Sequence, residues 1–64
     1  MKKRDVEKKL SKLGWWLHKH GGNHDIWTNG KIREPIPRHA EINEMLAKKI
    51  LKKAENNRPE KEER

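Results

Sequence analysis

The chain has 64 residues, a formal net charge of +7 and no cysteine. Only 30% of its residues are hydrophobic and 42% are charged, which implies one small domain with a thin core, since a chain this short buries only about 60% of its unfolded surface. Disulfides and thiolate metal sites are excluded, as a reducing cytoplasm would suit, no apolar run can span a membrane, and the opening MKKR lacks a secretion signal's apolar stretch. The excess of cations points to a polyanionic partner, because each cation that neutralises a phosphate releases condensed counterions. A domain that is merely basic has the same composition.

In chain order, Val6, Leu10 and Leu13 follow the i, i+4, i+7 spacing of one apolar helix stripe, which predicts a helix over residues 3–13. Asp5 and Glu7 lie near its start and Lys12 in its last turn, as the helix dipole favours, and Gly14 stops it. Residues 15–20, WWLHKH, suit a strand. Simple alternation puts Trp15 and Leu17 on one face and Trp16, His18 and His20 on the other. The turn GGN follows.

Residues 24–28 and 31–36 flank Asn29-Gly30, the strongest short hairpin signal, which predicts a two-residue type I′ turn. The register then pairs Thr28 with Lys31, Trp27 with Ile32, Ile26 with Arg33 and Asp25 with Glu34. Directly paired residues share a face. Trp27 and Ile32 therefore point to the core, and His24, Ile26, Thr28, Lys31 and Arg33 point away. Pro35 and Pro37 are expected to end the strand. A second helix is expected over residues 41–54, with Ile42, Leu46, Ile50 and Ala54 as its stripe, Ala47 and Leu51 widening it, and Met45 off its centre. The last ten residues, ENNRPEKEER, carry no apolar side chain larger than proline and read as a solvated tail.

The expected fold is therefore α+β, in the order α-β-β-β-α. Two helices cover one face of a three-stranded antiparallel sheet, burying Trp15, Leu17, Trp27 and Ile32. The open face carries Trp16, His18, His20, His24, Thr28, Lys31 and Arg33. This order resembles a double-stranded-RNA-binding domain.

His24 follows a glycine turn directly. An imidazole exchanges protons near neutral pH, and glycine lets backbone amides approach a phosphate. Together they suffice in principle for metal-free RNA cleavage, with the ribose 2′-hydroxyl attacking the adjacent phosphorus. An exposed histidine after a turn is the plainer alternative, and composition and spacing by themselves favour it. His18, His20 and His24 make a metal site conceivable, but no acidic or thiolate ligand clearly completes it, so no metal is expected. Trp16 is placed either to stack on a base or to meet a protein partner or the rim of the core. The helix lysines read as solvated faces. The sequence holds no phosphate loop, dinucleotide fingerprint or Ser/His/Asp order.

The stretches LGWWLHKHGGNHDIW, the NG turn and IPRHAEINEMLAKKILKKA resemble the HicA toxins, bacterial mRNA interferases of type II toxin–antitoxin systems. The matching positions are Gly14-Trp15, Lys19, Gly22-Asn23-His24, Trp27, Asn29-Gly30 and Pro37-Arg38-His39, followed by the amphipathic helix. Asn23 stands where serine is frequent and Lys19 where arginine is frequent.

The resemblance runs from about residue 5 to residue 54, so a single domain is expected over residues 1–54, and composition makes residues 55–64 a charged, disordered tail. It implies a cytoplasmic endoribonuclease that needs no cofactor, cleaves mRNA and is neutralised by a HicB antitoxin. His24 would be catalytic. Lys19, Gly22, Asn23, Lys31 and Arg33 would hold RNA phosphate, with His20, His39 and Trp16 as auxiliaries. A non-catalytic RNA-binding or antitoxin-docking module on the same fold is the alternative.

Overall fold

A computed structural model of the chain describes residues 1–59. The first helix, α1, spans Lys3–Lys12 and buries Val6 and Leu10. It ends in a Schellman motif: Gly14 N–H donates to Ser11 O and Trp15 N–H to Leu10 O, each at 3.0 Å. Gly14 supplies the positive φ, +95°, that this motif needs. The motif delivers Trp15 into the core, where its Nε1 donates to Ala54 O at 3.2 Å.

Three strands follow: β1 (Trp16–His20), β2 (His24–Thr28) and β3 (Arg33–Pro37). They form an antiparallel sheet in the order β1-β2-β3. The second helix, α2, spans Glu44–Asn56. Both helices lie on one face of the sheet. Lys3 of α1 reaches Asp25 on β2 at 2.9 Å, and Lys53 of α2 reaches Glu34 on β3 at 2.9 Å. Asp25, Trp27, Glu34 and Ile36 share that face by register. The core between the layers holds Val6, Leu10, Trp15, Trp27, Ile36, Ile42, Ala47, Ile50 and Ala54, with Leu13, Ile32 and Leu51 at its margin. No described helix is long and apolar enough to cross a membrane.

The architecture agrees with the sequence reading, and several details do not. Thr28 pairs with Arg33 and Trp27 with Glu34, so the hairpin register lies two residues beyond that of a type I′ turn. Such a turn needs positive φ at both central residues. Gly30 has φ +99°, but no described non-glycine residue has positive φ. Asn29 is instead buried, and its side chain organises a longer loop. Its Oδ1 accepts from Lys31 N–H (2.7 Å) and Ile32 N–H (2.9 Å), and its Nδ2 donates to Asn57 O (2.6 Å). Thr28, expected on the open face, is buried and donates to Ile32 O at 2.7 Å. A shift of two residues preserves the period-2 faces, so Trp27 still points inward.

Pro35 and Pro37 lie within β3 rather than ending it. Arg38 N–H donates to Asn23 O, so strand alternation directs the nitrogens of residues 35 and 37 outward. At a sheet edge, a nitrogen without hydrogen on the outer side breaks no ladder bond.

Leu17 was expected in the core and is 38% exposed. It pairs with Trp27, but every residue of β1 is exposed, so this edge strand lies beyond the helix cover.

The helix α2 begins at Glu44 rather than residue 41. Asn43 caps it, its Oδ1 accepting from Met45 and Leu46 N–H. Ile42 sits just before the cap and is buried together with Ala47, a hydrophobic-staple arrangement. Because Ile42 is outside the helix, the buried stripe runs through Ala47, Ile50 and Ala54, and Leu46 is left half-exposed. The expected tail, residues 55–64, begins inside this helix, and residues 60–64 lie outside the described residues.

Candidate functional site

The turn between β1 and β2 consists of Gly21, Gly22 and Asn23. Gly21 N–H donates to His24 O at 2.7 Å, which closes the turn. A Cβ on Gly21 would sit 2.7 Å from that same oxygen, whereas one on Gly22 would meet nothing within 4 Å. The first glycine is therefore required by close backbone approach, and the second leaves an open backbone surface. His24 opens β2 opposite Pro37 of β3. Its face is shared by Ile26 and Pro35 and is turned away from the helices.

The chain after β3 folds back beside this turn. Lys3 N–H donates to Ala40 O at 2.9 Å and Ile42 N–H to Met1 O at 2.7 Å, anchoring residues 40–42 next to α1. A cleft of about 670 Å³ results between the glycine turn, the end of β3 and the start of α2. Gly22, Asn23 and His24 line one side, Pro37, Arg38 and His39 another, and Asn43 and Leu46 the third. Two histidines from separate segments thus share one solvent-open cleft. Imidazoles so placed can take a proton from one atom of a bound molecule and give one to another.

A β-bulge decides which β1 residues join this face. Leu17 pairs with Trp27, but Lys19 pairs with Ile26, so His18 is the extra residue. The bulge reverses the alternation expected after Leu17. Lys19 comes to the open face with Ile26 and His24. His20, expected on that face, pairs with Asp25 on the helix side, and its Nδ1 lies 2.8 Å from Asp25 Oδ1. Lys31 and Arg33 are exposed at the far end of the hairpin. Thr28, the partner of Arg33, lies four residue steps along β2 from His24, a distance of about 13 Å. Trp16 also lies at that end, opposite Thr28. It is 48% exposed, and a Cβ on Gly30 would come within 3.3 Å of its ring.

Two residues beside the cleft had no role in the sequence reading. Asp25 is only 3% exposed. Its Oδ2 meets Lys3 Nζ at 2.9 Å, and its Oδ1 meets His20 Nδ1 at 2.8 Å and Arg38 Nε at 3.4 Å. The hydrogen bonds from Lys3 and then His20 hold its carboxyl down to about 2, against the opposing effect of burial. Arg38 also reaches back to the glycine turn, its Nη1 lying 3.4 Å from Gly21 O and 3.5 Å from Gly22 O. The signal for Asp25 was available: strand alternation places a carboxylate on the same face as Trp27, where a charge needs partners.

The family model described as "HicA toxin of bacterial toxin-antitoxin" matches residues 4–55. No curated protein and no solved structure matches the chain.

Proposed function

The chain belongs to the HicA toxin family, the toxins of bacterial toxin–antitoxin pairs, and from that premise we propose that it is a cytoplasmic endoribonuclease that cleaves mRNA in the cleft between His24 and His39. In this reading His24 removes the proton from a ribose 2′-hydroxyl. The freed oxygen attacks the adjacent phosphorus. The bond from phosphorus to the 5′-oxygen of the next nucleotide breaks, and His39 gives that oxygen a proton. The products are a 2′,3′-cyclic phosphate and a 5′-hydroxyl, and the step needs no metal or redox partner.

The open backbone at Gly22 and the Asn23 side chain would orient the phosphate, and Lys19 would offset its charge. Lys31, Arg33 and Trp16 stand farther along the same sheet and would hold flanking nucleotides. His20 is engaged by Asp25, so His39 is the stronger candidate for second proton carrier. The observation that carries the reading is the sharing of one cleft by two imidazoles and the glycine turn. A HicB antitoxin would inhibit by covering this open face.

The test is cleavage of labelled RNA in the presence of a chelator. His24→Ala should abolish cleavage and growth inhibition while the circular dichroism spectrum stays native. His39→Ala should slow cleavage by about 10²–10⁴-fold, the usual contribution of one proton-transfer group. Cleavage undiminished in His24→Ala would overturn the proposal. Binding of RNA without cleavage by the wild-type protein would favour a non-catalytic module instead. Co-expression of the small reading frame next to the toxin gene should rescue growth.

A further inference from the structure

Family likeness and charge pattern assign phosphate contacts to Lys19, Lys31 and Arg33, and leave Arg38 without a role. We infer that Arg38 grips the RNA phosphate inside the cleft, and that the buried carboxylate of Asp25 is the positioning residue that aims it. This inference rests on the reading of the cleft as an RNA site.

Arg38 is secured from three directions. Its backbone N–H donates to Asn23 O at 3.3 Å, which joins its main chain to the glycine turn. Its Nη1 approaches Gly21 O and Gly22 O at 3.4 and 3.5 Å, and its Nε approaches Asp25 Oδ1 at 3.4 Å. The Asp25 contact is an ion pair and the two carbonyl contacts are longer than ordinary hydrogen bonds, so together they orient the guanidinium without consuming it. Nη2 has no partner among the described residues, and Arg38 lines the same cleft as His24 and His39. Nε and Nη1 are thus each approached by an oxygen of the protein, while Nη2 stays available to a phosphate oxygen.

Asp25 does not depend on Arg38 for its own neutralisation. Lys3 of α1 meets its other oxygen at 2.9 Å, and His20 of β1 shares the oxygen nearest Arg38. Lys3 is itself paired with Glu7. A carboxylate already held by two partners has Arg38 as a third, more distant neighbour at the cleft wall. Lys31 and Arg33, by contrast, lie at the opposite end of β2 from His24.

The experiment is binding of a fluorescein-labelled 2′-O-methyl RNA oligonucleotide, which lacks the attacking hydroxyl, read by anisotropy across a salt series. Arg38→Gln should weaken binding roughly tenfold and flatten the log–log salt dependence by about 0.7, the loss of one phosphate contact on a single strand. Arg38→Lys should restore the slope but only part of the affinity. Lys9→Gln, an equal loss of charge on the exposed face of α1, should change affinity far less.

Asp25→Asn is the sharper arm. It makes the protein one charge more positive, so general electrostatics predicts tighter binding, whereas loss of aim predicts weaker binding. It should also add nothing in an Arg38→Gln background. Tighter binding by folded Asp25→Asn, or equal effects of Arg38→Gln and Lys9→Gln, would overturn the inference. If Asp25→Asn fails to fold, the comparison of Arg38→Gln, Arg38→Lys and Lys9→Gln decides. A wild-type protein that neither binds nor cleaves RNA would overturn the proposed function and this inference with it. Tight binding indifferent to Arg38 would overturn this inference alone.

Discussion

Asp25 ties folding stability to pH, and the sign follows from its surroundings. Its carboxyl titrates at about 2 in the folded chain against an ordinary value of 3.8, chiefly because Lys3 and then His20 bond to the ionised form. A depressed carboxylate stabilises the fold fully above its unfolded value and loses that contribution as pH falls toward the folded one. The window is therefore from about pH 5 down to about pH 2. The fall from 3.8 to about 2 sets an upper limit of about 2.5 kcal/mol. His20 is mostly exposed and solvent screens its share, so the expected contribution is about 1–2 kcal/mol. The assay is urea unfolding of wild type and Asp25→Asn at a series of pH values. Other carboxylates titrate in both proteins and largely cancel in the difference. The stability advantage of wild type should be greatest near neutral pH and shrink by about 1–2 kcal/mol on acidification to pH 2. A difference that stays constant between pH 5 and pH 2 would refute the assignment of Asp25 as an ionised, ion-paired residue.

Further outcomes follow from packing and turn geometry. Gly21→Ala should destabilise by about 1–3 kcal/mol, because its Cβ would press on His24 O, while Gly22→Ala should be neutral or slightly stabilising; thermal melts of the pair test this. Asn29→Ala should cost about 2 kcal/mol in urea unfolding, since it frees Lys31 and Ile32 N–H and Asn57 O at once. Asn43→Ala should cost about 1 kcal/mol through loss of the α2 cap, and the same variant with aspartate should retain most of the wild-type stability. Leu10→Ala, at the centre of the α1 stripe, should cost about 2–5 kcal/mol.

The candidate site was partly legible because its main features are local. Glycines followed by histidine indicate a turn at the start of a strand, and the distance from Asn23-His24 to Pro37-Arg38-His39 suits two neighbouring strand ends. Asp25 lay on the face of Trp27 by alternation alone. Its three neighbours Lys3, His20 and Arg38 were not readable, because they come from three separate segments, α1, β1 and the stretch after β3. The placement of His20 was misread for a different reason. A bulge at His18 has no marker such as glycine, and one extra residue exchanges the faces of everything after it.

The hairpin and the second helix show the same division. Asn29-Gly30 established that the chain reverses there, and Ala47, Ile50 and Ala54 established a helix with one apolar face. Whether Asn29 adopts positive φ or turns its side chain into a loop depends on the carbonyl of Asn57 arriving from α2. Whether Ile42 belongs to that helix depends on Asn43 capping it and on Met1–Lys3 pairing with the residues before it. Periodicity, charge and turn chemistry act between near neighbours, so the sequence by itself determined the element order, the layer arrangement and the inward direction of Trp27. Register, bulge and ion pairing are settled by groups that meet only after collapse. Those long-range contacts alone decided that Lys19 rather than His20 accompanies His24, and that Arg38 faces the cleft.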